Sequence, residues 1–197
     1  MLTPHSIELQ MLNNIAKGDR VAFKQFYELF NRRIYNTVLS YLQNTSEAEE
    51  ITQDVFVEIF HSAHQFKGDS AVSSWVYRIA INKSLDQLRY RHRKKRFSFI
   101  TSLFGEQAEL KNDVPHFEHP GVMLENREKS TLLFQAIDQL GEQQKTAFIL
   151  SQIEELPQKQ IATVMNVSEK AVESLLQRAK SNLRKHLEKF YPERRKI

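Results

Sequence analysis

The chain contains no cysteine. Disulfides, thiolate zinc sites and thiol nucleophiles are therefore excluded, and the composition suits a reducing compartment. Glycine and proline are scarce, five each in 197 residues, so few positions oblige a helix to stop. Apolar and polar residues do not alternate as half-buried strands require; helical spacing of apolar residues recurs along most of the length. No stretch of about 18 apolar residues could cross a bilayer, and residues 1 to 20 lack a cleavable hydrophobic signal. These absences predict an all-α, cytoplasmic protein without direct membrane insertion. A glycine-rich phosphate loop ending in Gly-Lys-Ser/Thr is also missing, and no cofactor is expected.

What is present is charge, unevenly placed. The net charge is +4. Residues 1–96 carry 14 Lys and Arg against 10 Asp and Glu, residues 97–125 carry 1 against 5, and residues 126–197 carry 13 against 9. Two basic lobes thus flank an acidic connector. The connector holds Gly105, Pro115, Pro120 and Gly121 and lacks sustained periodicity. The predicted organisation is two small helical domains, 1–96 and 126–197, joined by a flexible linker over 97–125. Its early part, FSFITSLF at 97–104, is too apolar for a fully solvated tether. Extended at ~3.3 Å per residue, about 29 residues reach on the order of 95 Å, so the lobes could act on sites far apart.

In the first lobe, Ser6 to Ala16 reads as a short helix stopped by Gly18, with Asp19 capping the next. Phe23, Tyr27, Phe30, Ile34, Val38 and Tyr41 continue at spacings of three and four as a core stripe. Ser46 and Glu49 fit a capping box opening a third helix. On that helix Ala48, Ile51, Val55 and Ile59 face inward, while Glu50, Asp54 and Glu58 form an acidic ridge. Like charges four residues apart repel by a few tenths of a kcal/mol per pair, so the ridge is either a solvated face or a seat for a basic partner.

Lys67 to Ser73 then read as a loop, with Ser74 capping a helix that carries Arg78, Lys83, Arg89, Arg91, Arg93, Lys94, Lys95 and Arg96 against Asp86 alone. Cations interleaved with Trp75, Tyr77 and Tyr90 suit nucleic acid, because cations neutralise phosphate and aromatic faces stack on bases. A solvated cationic helix end is the alternative.

In the second lobe, Leu132, Leu133, Ala136, Ile137 and Leu140 mark a helix closed by Gly141, and Phe148, Ile149, Leu150 and Ile153 mark another. The stretch PQKQIATVMNVSEKAVESLLQRAKSNLRKH follows, from Pro157 to His186. It has the form of a helix-turn-helix. Pro157 suits a first-turn position, Asn166-Val167-Ser168 makes the turn, and Ser168 caps the second helix with Glu169 at the positive end of its dipole. Val172, Leu175, Leu176, Ala179 and Leu183 form the buried stripe; Lys170, Glu173, Ser174, Gln177 and Arg178 share the polar face. Such a face either reads base edges in a major groove or is simply solvated.

The ordered stretches TSEAEEITQDVFVEIF, FKGDSAVSSWVYRIAINKSLDQLR and LPQKQIATVMNVSEKAVESLLQRAKSNLRK resemble a bacterial RNA polymerase sigma factor of the sigma-70 family. The resemblance is to its small extracytoplasmic-function (ECF) group, which keeps only the second and fourth conserved regions, and covers roughly residues 10–95 and 126–190. It implies a promoter-specificity subunit without enzymatic activity, binding core RNA polymerase and promoter DNA. The first lobe would bind and open the −10 element through Lys67, Gly68, Asp69, Ser70, Ser74, Trp75, Arg78, Asn82, Lys83 and Arg89. Its loop would hold an extruded base, read or supported by Asn82 and braced by Trp75. Ser168, Lys170, Glu173, Ser174, Gln177 and Arg178 would meet the −35 element. Glu50, Gln53, Asp54 and Glu58 would bind the clamp helices of the largest polymerase subunit, the flap being a further contact. The acidic linker would follow the RNA exit path, and an anti-sigma factor is an implied partner.

Glu173 and Leu175 depart from the usual pattern, standing where basic residues are common; Glu173 could instead accept from a cytosine amino group. His61 with His64, and His116 with His119, lack supporting carboxylates or thiolates, so no metal site is expected. A stand-alone helix-turn-helix regulator, binding duplex DNA without polymerase, is the rival reading.

Overall fold

The computed structural model describes residues 4–103 and 127–190. Helix α1, Pro4–Ile15, ends before Gly18, whose φ of 85° turns the chain into α2, Arg20–Leu42. The Asp19 carboxylate accepts from the Val21 and Ala22 amides at 2.8 and 3.1 Å, as expected of a helix cap. Along α2, Phe26, Phe30, Ile34, Val38 and Tyr41 are fully buried. Burying each such side chain contributes roughly 1.5–3 kcal/mol relative to exposure. Phe23 packs edge-on against Phe56 and Phe60, whereas Tyr27, placed by its spacing in the core, is 39% exposed.

Gln43 closes α2 in the left-handed conformation, and Asn44 caps α3, Thr45–Ser62, accepting from the Glu47 amide at 2.9 Å. The cap is therefore two residues earlier than the Ser46/Glu49 box suggested. A helix must start where the preceding one releases the backbone, and Gln43 does so. A short 3-10 turn, Ala63–Gln65, leads to the loop and then α4, Val72–Leu103. Two expectations change here. Ser74 is no cap: the helix opens at Val72, and Ser74 is its third residue, at 1% exposure. Residues 97–103 continue the helix rather than beginning the linker. No glycine or proline stands between Gly68 and Gly105, so nothing in the covalent chain forces an earlier stop.

The second lobe comprises α5, Arg127–Asp138, α6, Glu142–Gln152, α7, Gln158–Met165, and α8, Glu169–Leu187. Gly141 is the residue before α6 and Pro157 the residue before α7, one place outside the first turn. Asn166 is left-handed at φ 54°. Ser168 Oγ accepts from the Ala171 amide at 3.2 Å, so the helix-turn-helix has the expected joints. Val172, Leu175, Leu176, Ala179 and Leu183 are all buried.

The two-lobed all-α architecture holds, with every regular element among the described residues helical. The lobes are nonetheless in contact. α7 lies on α4 and α6 meets α2, and one continuous buried cluster runs from Leu12 in α1 to Leu176 in α8. A smaller cluster of Phe134, Ile137, Leu140, Ala179 and Leu183 joins α5 to α8. Of the connector, residues 104–126 lie outside the described residues, and with them the RNA-path reading.

Candidate nucleic-acid interface

The loop between the 3-10 turn and α4 stands on an aromatic pair. Phe66 and Trp75 rings meet at 5.5 Å and 58°, leaving Trp75 half-buried as a brace. Lys67, Gly68 and Asp69 are exposed. Gly68 has φ 79°, a left-handed conformation that a side chain would strain. Arg78 Nη2 donates to Ser70 Oγ at 3.1 Å, clamping the loop to the helix eight residues on. Its Nε is buried and without a hydrogen-bond partner among the described residues. Asn82 is exposed one turn beyond.

Other members of the −10 set are buried or held in ion pairs. Ser74 is sealed in the helix packing. Lys83 Nζ lies 3.5 Å from Glu58 Oε2. Arg89 bonds Asp86 at 3.1 Å and Glu142 of the other lobe at 2.9 and 3.3 Å. Two residues counted with the nucleic-acid surface are structural. Tyr77 is buried, and Arg91 ties α4 to α3 and the end of α2 through Glu47 and the Leu42 carbonyl, the latter at 2.9 Å. The exposed cations of α4 are Arg89, which is held in ion pairs, and the run Arg93, Lys94, Lys95 and Arg96.

On α3, Glu50, Gln53, Asp54 and Glu58 all face solvent, with Val57 55% exposed among them. Glu50 and Asp54 have no ion pair among the described residues. An exposed acidic strip with an apolar centre can receive a cationic helical partner. On α8, Lys170, Glu173, Gln177 and Arg178 are exposed, Ser174 is half-buried and Ser168 spends its hydroxyl on the cap. Among the described residues, no other part of the chain covers that face.

A polar seam between the lobes escaped the sequence. Tyr41 Oη donates to Thr146 Oγ1 at 2.8 Å, and Gln43 Nε2 to the Phe134 carbonyl at 3.2 Å. Lys145 Nζ, almost fully buried, bonds Asp138 at 2.5 Å and the Tyr41 carbonyl at 3.2 Å. Tyr77 Oη donates to Glu154 Oε2 at 2.9 Å, and Gln160 Nε2 to Ser73 Oγ at 3.1 Å. Burial pushes the Glu154 carboxyl up from its ordinary range; Thr37, Tyr77 and Arg33 offset this only in part. Burial also pushes the Tyr77 phenol up, and Glu154 adds to the shift. The left-handed Glu155, φ 53°, sits beside Glu154 in the turn after α6. With the left-handed Gln43, φ 52°, it gives the seam two non-glycine residues of unusual backbone that residue type does not reveal.

Comparison with known proteins accords with this arrangement. Models of Sigma-70 region 2 and Sigma-70, region 4 match residues 26–94 and 130–183. The RNA polymerase sigma-H factor of Pseudomonas aeruginosa is 30% identical over 188 residues, covering 95% of this chain and 97% of that protein. The ECF RNA polymerase sigma-E factor of Escherichia coli K12 is 24% identical over 170 residues, 86% and 88% of the two chains. The fold is similar to that of CnrH, solved in complex with the cytosolic domain of CnrY. That match has a TM-score of 0.66 and 21% identity, over 92% of this chain and 97% of that one.

Proposed function

Since the chain belongs to the sigma-70 family of RNA polymerase sigma factors, in its ECF group, we propose the following division of its surfaces. Residues 1–96 engage core polymerase and the −10 element, and residues 126–197 engage the −35 element, with the flap of the polymerase as a further contact. The loop at Lys67, Gly68, Asp69 and Ser70, backed by Trp75, receives an unstacked base, and Asn82 contacts it. Unstacking costs a few kcal/mol, and a base held by stacking and hydrogen bonds returns about 1–3 kcal/mol. Lys170, Glu173, Ser174, Gln177 and Arg178 meet duplex DNA, and Glu50, Gln53, Asp54 and Glu58 meet the basic clamp helices.

The chain performs no bond chemistry of its own and works in the cytoplasm. No described helix is long and apolar enough to cross a membrane. An anti-sigma factor is a partner by analogy with relatives solved as complexes: CnrH with the cytosolic domain of CnrY, and the RpoE of Bartonella quintana with the anti-sigma factor NepR.

The observation that carries this reading is the simultaneous exposure of the loop before Trp75 and of the polar face of α8, on stretches that match regions 2 and 4 in that order. A stand-alone regulator would use α8 and leave the ridge and loop without a task. Reconstitution with the cognate core polymerase tests it. Promoter-specific transcripts, with permanganate-reactive thymines near −10, are expected. Specific duplex binding by the free chain with no transcript would replace this reading by the regulator.

A further inference from the structure

Glu173 is a carboxylate on a helix face offered to a polyanion, and its place in the fold does not account for it. It is exposed, and among the described residues it enters no hydrogen bond or ion pair. It is the fifth residue of α8, past the first turn, where the helix dipole favours a negative charge; Glu169, which opens the helix, already takes that place. Glu169 is also four residues back, so the two carboxylates repel. Four residues on stands Gln177 rather than a cation, and Lys170 precedes Glu173, the less favourable order for a helical ion pair. Helix stability therefore gives no reason for an acid here. Leu175, the other departure in this helix, is explained by the fold: it is 9% exposed and packs in the core cluster, so it takes no part in reading DNA.

The neighbours define what the carboxylate meets. Residues three and four apart lie side by side on a helix, so Lys170, Glu173 and Gln177 form one stripe along α8, all of them exposed, with Arg178 exposed beside it. The stripe begins at the N-terminal end of the second helix of the helix-turn-helix, the end that contacts base edges when such a helix lies in a major groove. There a carboxylate has two kinds of amino group to accept from, N4 of cytosine and N6 of adenine. They are not equivalent. The adenine amino group lies between two acceptors, its own N7 and O4 of the paired thymine, and both repel a carboxylate. The cytosine amino group has an acceptor on one side only, O6 of the paired guanine. That guanine O6 and its N7 are in turn what a lysine or arginine takes, and Lys170 is the adjacent cation.

Resting on the promoter reading above, we propose that Glu173 selects a cytosine in the −35 element by accepting a hydrogen bond from its N4 amino group, with Lys170 placed to take the acceptor edge of guanine beside it. The carboxylate works by exclusion as much as by contact. At any other base it meets an acceptor, a methyl group or an amino group hemmed in by acceptors, in a groove lined by phosphates. Its charge is then desolvated without a partner. A side chain of no consequence to the free fold thus becomes costly on the wrong sequence.

The test uses the full-length chain assembled with core polymerase and a promoter library randomised over the −35 element. Retained sequences should fix a cytosine at one position. Glu173→Ala should abolish that preference and no other; the position is exposed and alanine is the better helix former, so the variant folds. Glu173→Gln should change the preference from cytosine to adenine, because a glutamine amide accepts from N6 and donates to N7. In a second measurement the selected cytosine is replaced by the pyrimidinone analogue that lacks only its amino group. This should weaken binding of the unmodified chain about tenfold more than it weakens binding of Glu173→Ala, since the lost base-pair bond is common to both.

Identical base preferences in the unmodified chain and Glu173→Ala would overturn the proposal and leave Glu173 a solvated charge. So would a Glu173→Ala chain that binds every sequence more tightly with no change of preference, since the carboxylate would then only repel phosphate. Both outcomes leave the promoter assignment standing. That assignment fails separately, when the unmodified chain with core polymerase enriches no sequence at all, and the proposal falls with it.

Discussion

The two candidate DNA surfaces are made of similar residues but are held very differently. On α8 the polar side chains stand clear of the lobe: Lys170, Glu173, Gln177 and Arg178 are exposed, and beneath them Val172, Leu175, Leu176 and Ala179 do the packing. On α4 the cations are engaged: Arg78 clamps Ser70, Lys83 meets Glu58, Arg89 reaches Glu142 and Arg91 binds Glu47. A rigid duplex can be met by a helix whose polar face is already free. A loop that must receive a flipped base needs to be positioned first, and side chains that position it cannot also be spent on phosphate. Burial and pairing, rather than residue type, separate the groups that present from the groups that hold.

The ridge on α3 offers the strongest way to break this comparison, since it is the third exposed set and has the opposite sign. Asp54→Lys would place a cation against a basic partner, and like charges juxtaposed across an interface cost several kcal/mol. Affinity for core polymerase measured by fluorescence anisotropy should fall by about a hundredfold, with the melting temperature unchanged because Asp54 is exposed. An unchanged affinity would reduce the ridge to a solvated face.

Two arginines sharpen the comparison directly. Arg178→Ala should weaken binding to a −35 duplex by about 1–3 kcal/mol and relax preference at one base position, leaving thermal stability as it was. If the loss is the same on every DNA sequence, Arg178 holds phosphate only. Arg78→Ala should do the reverse, lowering stability by about 1 kcal/mol through loss of the Ser70 bond while −35 binding persists. Stability lost at Arg178 and retained at Arg78 would invert the argument above.

Much of this was legible from residue order. The apolar stripes of α2, α3 and α8 recur at helical spacing, and Asp19 and Ser168 each precede a run of free amides, so these elements and their starts could be read locally. Ser46 and Ser74 have the same chemistry as a true cap but lie inside their helices, because Gln43 and Ala71 release the backbone earlier. The apolar run at 97–104 sets that stretch apart from an ordinary tether, but the lack of glycine or proline there is the more telling signal, since it lets α4 continue to Leu103. The seam could not be read at all. Tyr41 with Thr146, and Tyr77 with Glu154, are 105 and 77 residues apart, and no periodicity links positions brought together only by docking of two lobes.

The smallest expected effect is one of pH, and it follows from Glu154. Its proton affinity is raised in the folded chain by burial, so the folded form binds a proton more readily than the unfolded form, where the carboxyl returns to its ordinary range. By linkage, the stabilisation from this group must grow as pH falls toward and through that raised value, and the gain is complete once pH is below the ordinary value near 4.5. Tyr77 stays neutral throughout this window, its phenol being pushed further up by burial, so it does not reverse the sign. Urea-unfolding midpoints taken over a descending pH series should gain more as pH falls in this chain than in Glu154→Gln, which has no proton to gain. Equal growth in both chains would move the pH response to another group and leave Glu154 with a purely geometric part in the seam.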